Sequence, residues 1–271
     1  MVDRLRHSPA NQKRIENIET CFGAQGEPLW QEGRVLVGEG VLMKMCRKKA
    51  KPRQFFLLND LLVYGSIIMS KKRYHKQRII PLEQVQLGNL EDEANVKHGW
   101  IIKTRMKSFA VYAATETEKQ EWMLHIERCV QDLIKNGKRP ESEHAAVWIP
   151  DNEAPICMCC KVAEFTLIHR RHHCRSCGHV VCGNCSTKRF VLPGIDKRPV
   201  RVCDECYAQL IKGNITVVVT NANTANNISR IESDDSEDED ETTEKHVNFA
   251  ENDQAQFYGG DEAQKPISTR I

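Results

Sequence analysis

Eight cysteines in four Cys-x2-Cys pairs, Cys157/Cys160, Cys174/Cys177, Cys182/Cys185 and Cys203/Cys206, constrain this chain more than any other feature. The intervals between pairs are 13, 4 and 17 residues. A Cys-x2-Cys knuckle places two thiolates on one side of a tight turn, matching two vertices of a tetrahedron, and two knuckles complete a closed Zn-S4 site. Four knuckles therefore predict two structural Zn2+ ions with no open position for catalysis. Spacing alone leaves open which knuckles share an ion. Cys159 breaks the knuckle spacing and is expected to be a spectator, while Cys21, Cys46 and Cys129 lie outside the cluster as packed or exposed thiols. No apolar run approaches the roughly 18–20 residues that span a bilayer. The stretch from Met1 to Ala10 is polar, without the apolar core of a signal peptide. A cytosolic chain that touches membranes peripherally is expected, and there cysteines serve metals rather than disulfides.

The rest of the chain is expected to divide into five parts. Residues 1–33 read as a short helical lead-in around Lys13 to Cys21, with no fold of its own. Residues 34–134 switch to short strands rich in β-branched and aromatic residues: Gly40–Met45, Phe55–Leu58, Leu61–Tyr64, Arg78–Ile80, Trp100–Thr104 and Phe109–Ala113. Glu118–Ile134 then reads as a helix, with Thr117 and Gln120 as its capping box and Trp122, Ile126, Cys129 and Leu133 on one face. Residues 135–147 are a polar linker, 148–211 hold the cysteine cluster, and 212–271 are too polar to bury a core and are expected to be disordered. Charge segregates along these parts. Between Arg34 and Asp132 there are 18 Lys/Arg against 11 Asp/Glu, whereas Glu232 to Glu244 holds 9 acidic residues and no Lys or Arg. A basic, anion-seeking body and a solvated acidic tail follow.

Strands closed by one amphipathic helix resemble the pleckstrin homology (PH) domain, with Trp122 where that family's helix plugs the barrel and Arg53–Tyr64 as its second and third strands. Around the cysteines stand Trp148-Ile-Pro-Asp151, Arg170-Arg-His-His-Cys-Arg175 and Arg201-Val-Cys203. These are the three marks of the FYVE finger, WxxD, R(R/K)HHCR and RVC, and the resemblance is specific. It implies an α+β multi-domain fold: a PH-type antiparallel β-barrel capped by a C-terminal helix, a small cross-braced two-zinc finger, and a disordered acidic tail. It also implies that alternate knuckles share a zinc, one site being Cys157, Cys160, Cys182 and Cys185, the other Cys174, Cys177, Cys203 and Cys206. The FYVE family reads phosphatidylinositol 3-phosphate, and its functional positions fall on Asp151, Arg170, Arg171, His172, His173, Arg175 and Arg201. Its membrane-inserting loop falls on Leu167 and Ile168.

The chemistry of that assignment is coherent from below. A phosphate monoester is a dense dianion, and guanidinium forks match its oxygens through charge-assisted bonds. Asp151 would accept from inositol hydroxyls and repel phosphate at neighbouring ring positions. From Cys157 to Cys206 the formal charge is 9 Lys/Arg against 4 Asp/Glu. Each Zn-S4 centre carries −2, which removes about four charges, so the finger's basicity is local to its Arg/His strand. Lys44, Lys51 and Arg53 approximate the basic pattern of phosphoinositide-binding PH domains and are expected to give a second phosphoinositide contact, with Arg47, Lys48 and Lys49 crowding the same loop.

A PH domain followed directly by a FYVE finger resembles the Phafin family. The resemblance implies a non-enzymatic adaptor in endosomal trafficking, with autophagy and lysosome roles, protein partners in that traffic, and residence in cytosol and on early endosomes. A RING-type ubiquitin ligase also cross-braces two zincs but usually uses a ligating His. A Rho-family exchange factor needs a helical catalytic domain of about 150–200 residues, which the residues ahead of the strands do not supply. A near-neutral finger disfavours nucleic acid.

Overall fold

The computed structural model describes residues 3–6, 8–68, 73–92, 97–139, 144–166, 168–193, 195, 198–213 and 255–258. In chain order these form α1 (Asp3–Arg6), α2 (Pro9–Phe22), β1 (Leu36–Met45), β2 (Ala50–Leu58), β3 (Leu61–Ile68), β4 (Arg73–Pro81), β5 (Gln86–Asn89), β6 (Gly99–Lys103), β7 (Phe109–Tyr112) and α3 (Glu116–Lys135). The finger follows with β8 (His172–His173), β9 (Val180–Val181), β10 (Arg189–Phe190), β11 (Val200–Arg201) and α4 (Asp204–Gly213), and β12 (Gln256–Phe257) comes last.

The large sheet runs β4-β3-β2-β1-β7-β6-β5, antiparallel throughout, and α3 closes it. Successive strand side chains point to opposite faces. On β2, Phe55 and Leu57 face the barrel interior with Trp100 and Trp122, while Phe56 and Leu58 face outward. The outward face is not solvated. Ile15, Ile18 and Phe22 of α2 cover it in a second core with Leu29, Val63 and Tyr74. Buried Asn11 locks this cover to β1, donating from Nδ2 to the Arg34 carbonyl at 2.8 Å and accepting from the Leu36 amide at 2.9 Å. The lead-in expected to carry no fold is therefore a working layer of the barrel domain. The reason is local: Ile15, Ile18 and Phe22 recur at helical spacing, and the unbroken apolar run Phe55–Leu58 needs cover on both sides.

Two smaller differences have equally local causes. The helix starts two residues earlier than expected, because Thr115 rather than Thr117 caps it. Its side chain accepts from the Glu118 amide at 3.1 Å, and Glu118 Oε2 accepts in return from the Ala114 amide at 3.0 Å, one residue before the cap, a close relative of the capping box. β5 carries one large apolar residue in four and gave no strand signal.

Most of the tail expected to be disordered lies outside the described residues. Within it, β12 pairs antiparallel with β1, Gly38 opposite Phe257 and Glu39 opposite Gln256. Gly38 makes this possible: a Cβ there would meet the Phe257 ring at 2.4 Å. Phe257 stacks on His125 at 4.2 Å and meets Trp122 edge-on at 5.2 Å, so it sits in the gap between β1 and α3. Tyr258 donates its hydroxyl to Glu39 at 2.5 Å and lies under Arg14 at 4.4 Å. These four residues are ordered by aromatic burial, which the polar average of the tail concealed. Phe257→Ala is expected to destabilise the barrel domain by about 1–2 kcal/mol, part of the roughly 3–5 of a fully buried Phe. Urea unfolding followed by tryptophan fluorescence checks it, and an unchanged midpoint would rule the docking out.

Candidate functional site

The finger's two ligand sets are built from one repeated turn. The Lys161 amide donates to the Cys157 carbonyl at 2.8 Å and the Gly178 amide to the Cys174 carbonyl at 2.9 Å. Both turn residues have left-handed backbone, φ 57° at Lys161 and 79° at Gly178. Gly178 has a second reason to lack a side chain, because a Cβ would lie 2.2 Å from the Val147 carbonyl oxygen. The sulfurs assemble as Cys157, Cys160, Cys182 and Cys185 in one group and Cys174, Cys177, Cys203 and Cys206 in the other, all within 4.8 Å of one another in each. This is the alternate pairing that the FYVE resemblance implied. Two sulfurs of a Zn-S4 tetrahedron with bonds of about 2.3 Å stand about 3.8 Å apart, and Cys177 and Cys203 Sγ are 3.9 Å apart.

Backbone amides favour the thiolate that zinc needs. The Cys182 amide points at Cys157 Sγ (3.2 Å) and the Cys203 amide at Cys174 Sγ (3.3 Å). Amides of Ala163 and Val162 draw the Cys160 thiol down to about 6. Cys174 lies well below the ordinary thiol range, held by the Cys177 thiol and then by neighbouring amides, whereas the same pairing pushes Cys177 up and burial pushes Cys185 and Cys203 up. Cys159 takes no part; burial pushes its thiol up instead. The donor set fits two Zn2+ ions, one in each quartet, and both sites are closed by protein ligands.

The basic strand is fixed by the same frame. β8 pairs with β9, and the Arg175 amide donates to the Arg201 carbonyl at 2.9 Å, so the RHHCR and RVC segments lie side by side. Arg201 Nη1 donates to the Ser186 carbonyl at 2.6 Å. Burial, then the neighbouring Arg189 and Arg175 charges, hold its pKa below the usual guanidinium value. Arg189 is an addition: it faces Arg201 across the β10–β11 pair, and only the pairing reveals it.

His173 is buried, stacks on Trp148 at 4.6 Å, and bonds the Ile149 carbonyl through Nε2 at 2.8 Å. Burial lowers its pKa, so the ring is neutral near pH 7. Asp151 Oδ1 lies 3.8 Å from the same nitrogen. The Arg175 guanidinium covers Trp148 at 4.1 Å and that of Arg171 covers Phe165 at 4.9 Å. His172 is half-buried on β8, and Arg170 is exposed at the strand's entrance. Of the loop expected to enter the bilayer, Ile168 is 88% exposed; Val162, outside that loop, is 79% exposed. Leu167 lies outside the described residues.

The expected barrel contact takes a different form. Lys44, Lys51 and Arg53 are exposed by only 1%, 7% and 9%, and Lys44 Nζ lies over the Phe109 and Tyr64 rings at 4.7 and 5.5 Å. They do not form a surface patch. Strand register pairs Lys44 with Lys51 beside the mouth of the barrel, and the segment Val147–Pro150 closes a small cavity there with Lys44 and Arg47. The linker is accordingly docked at its end: Ser108 Oγ donates to the Ala145 carbonyl at 2.5 Å, and Lys107 Nζ lies over the Trp148 ring at 4.8 Å.

A PH domain family model matches residues 36–131 and a FYVE zinc finger model residues 147–212. The chain is 61% identical over 216 residues to "Pleckstrin homology domain-containing family F member 2" of Homo sapiens, covering 79% of this chain and 87% of that protein. It is 55% identical over 211 residues to family F member 1 of Homo sapiens, covering 78% and 76%. The solution structure of the LM5-1 FYVE domain from Leishmania major is 40% identical, with 33% of this chain and 96% of that one covered and a TM-score of 0.24. With barrel, finger and both zinc quartets in place, the chain belongs to the Phafin family, the pleckstrin homology domain-containing family F.

Proposed function

We propose that this chain is a non-enzymatic adaptor that reads phosphatidylinositol 3-phosphate on early endosomal membranes, moving between them and the cytosol. A chain built from a PH barrel and a FYVE finger is a phosphoinositide-binding protein with two structural zincs. The observation that carries the finer reading is the 2.9 Å bond from the Arg175 amide to the Arg201 carbonyl. It joins segments 26 residues apart in the chain into one basic surface, with Asp151 set against His173 at its side. Arg170, Arg171, His172, His173, Arg175 and Arg201 would meet the phosphate, and Asp151 the ring hydroxyls. Endosomal trafficking, autophagy and lysosome function, with protein partners in those pathways, extend the same reading. Vesicles each carrying one monophosphorylated inositide test it. Selective binding to the 3-phosphate is expected, and equal binding to the 4- or 5-phosphate would defeat the reading.

Membrane residence needs more than a head group. Ile168 stands almost fully exposed, and burying such a side chain contributes about 1.5–3 kcal/mol. Ile168→Ala is therefore expected to weaken vesicle binding roughly tenfold while leaving binding of a soluble head group unchanged. Equal losses in both assays would mean that Ile168 does not enter lipid.

A further inference from the structure

The barrel and the finger meet at Asp151, the residue assigned above to the inositol hydroxyls. Arg47, in the loop between β1 and β2, donates from Nε to Asp151 Oδ2 at 3.1 Å. Its guanidinium also donates from Nη2 to the Arg171 carbonyl at 2.8 Å. The strap runs in both directions, because the Asp151 amide donates to the Arg47 carbonyl at 2.9 Å. A single residue of the barrel is thus bound to both the WxxD and the RRHHCR segments of the finger.

This docking consumes what the ligand needs. An ionised carboxylate offers two oxygens and only accepts. Asp151 Oδ2 is taken by Arg47. Oδ1 is sealed from solvent and has no hydrogen-bond partner; its neighbour His173 Nε2 stands 3.8 Å away and bonds the Ile149 carbonyl instead. While the domains are joined, Oδ1 is closed to an inositol hydroxyl and a hydroxyl at Oδ2 must compete with the Arg47 guanidinium. Arg171 Nε is buried and unpartnered in the same arrangement. Buried polar atoms are ordinarily paired. Seven such side-chain atoms stand unpaired among the described residues, and the two that lie in the finger belong to the two residues that Arg47 holds.

We infer that the barrel holds the finger's head-group site closed: Arg47 and the inositol ring compete for one Asp151 carboxylate, and lipid binds as the barrel lets go. The inference rests on the reading of the finger as the lipid site. Opening separates Lys107 from the Trp148 ring, 4.8 Å away, but leaves the Arg175 and His173 contacts to that ring intact, since those residues belong to the finger. It also returns Arg47 to a loop that continues Lys48-Lys49, three cations in a row, which an anionic membrane surface attracts. The membrane thus favours the open form from both sides of the broken contact.

The test uses the full chain and soluble short-chain phosphatidylinositol 3-phosphate, so that attraction of the loop to a membrane does not enter. Arg47→Ala is expected to bind about tenfold more tightly than wild type, with two zincs retained. Lys48→Ala, which removes a charge from the same loop, is expected to match wild type. In wild type, saturating lipid should speed hydrogen exchange at the Asp151 amide, whose bond to Arg47 breaks. Weaker binding by Arg47→Ala would make Arg47 part of the site and overturn the closed-site inference. So would unchanged binding, or an Asp151 amide that stays protected at saturation. Absence of binding by every chain, wild type included, would instead remove the finger's lipid reading and the inference with it.

Discussion

Chelation of zinc is expected to unfold the finger completely and leave the barrel domain folded. The finger's buried cluster explains the size of the effect. Five of its eight fully buried members, Cys157, Cys174, Cys182, Cys203 and Cys206, are themselves ligands, leaving Val181, Leu192 and Val202. Three aliphatic side chains contribute about 1.5–3 kcal/mol each, against a backbone ordering cost of about 1–2 kcal/mol per residue. Zinc supplies the difference, with apparent binding free energies of about 10–16 kcal/mol per structural site. The barrel has an independent core around Trp100 and Trp122 and contributes no cysteine to either quartet. Native mass spectrometry should count two zincs, and hydrogen exchange in strong chelator should show loss of protection confined to the finger. A count of one, or a finger that keeps its protection without metal, would refute the assignment. Cys203→Ser is expected to reproduce the loss for its own quartet.

Arg171→Ala is expected to lower affinity for phosphatidylinositol 3-phosphate vesicles by at least about 100-fold with both zincs retained. Charge-assisted hydrogen bonds contribute about 1.5–3 kcal/mol each, and a guanidinium fork makes two to a phosphate. Losing them corresponds to roughly 3 kcal/mol or more, which is about two decades in affinity. The fold does not depend on this side chain. Its guanidinium lies over Phe165 at the finger's edge, and the contact that joins it to Arg47 uses its backbone carbonyl, which the substitution keeps. Vesicle co-sedimentation measures the affinity, and metal analysis checks the fold. Retained affinity in a two-zinc variant would exclude Arg171 from the site.

Which features were legible in the chain follows from the range of the interaction behind each. Knuckle spacing is a property of one turn, so every zinc ligand could be read, and Cys159 set aside, without a structure. Strand alternation and the face carrying Trp122, Ile126 and Cys129 are likewise set within a few residues. Errors arose where two local readings were both admissible. Thr115 with Glu118 and Thr117 with Gln120 each fit a capping box, and the end of β7 at Tyr112 selects the first. The polar average of the tail was correct as an average and still concealed the Phe257-Tyr258 pair that finds Gly38 and Trp122.

The sequence by itself determined the eight metal-ligand positions, six of the barrel's strands and the arginine-rich segment, because each rests on neighbours along the chain. Only the tertiary structure decided what covers what. It laid α2 on the outer face of β2 and buried Lys44, Lys51 and Arg53 at the barrel mouth. It also joined Arg47 to Asp151 across 104 residues. A charge pair of that separation leaves no periodicity and no motif. It exists because two independently stabilised domains place an arginine and a carboxylate 3.1 Å apart, and chain spacing does not encode that distance.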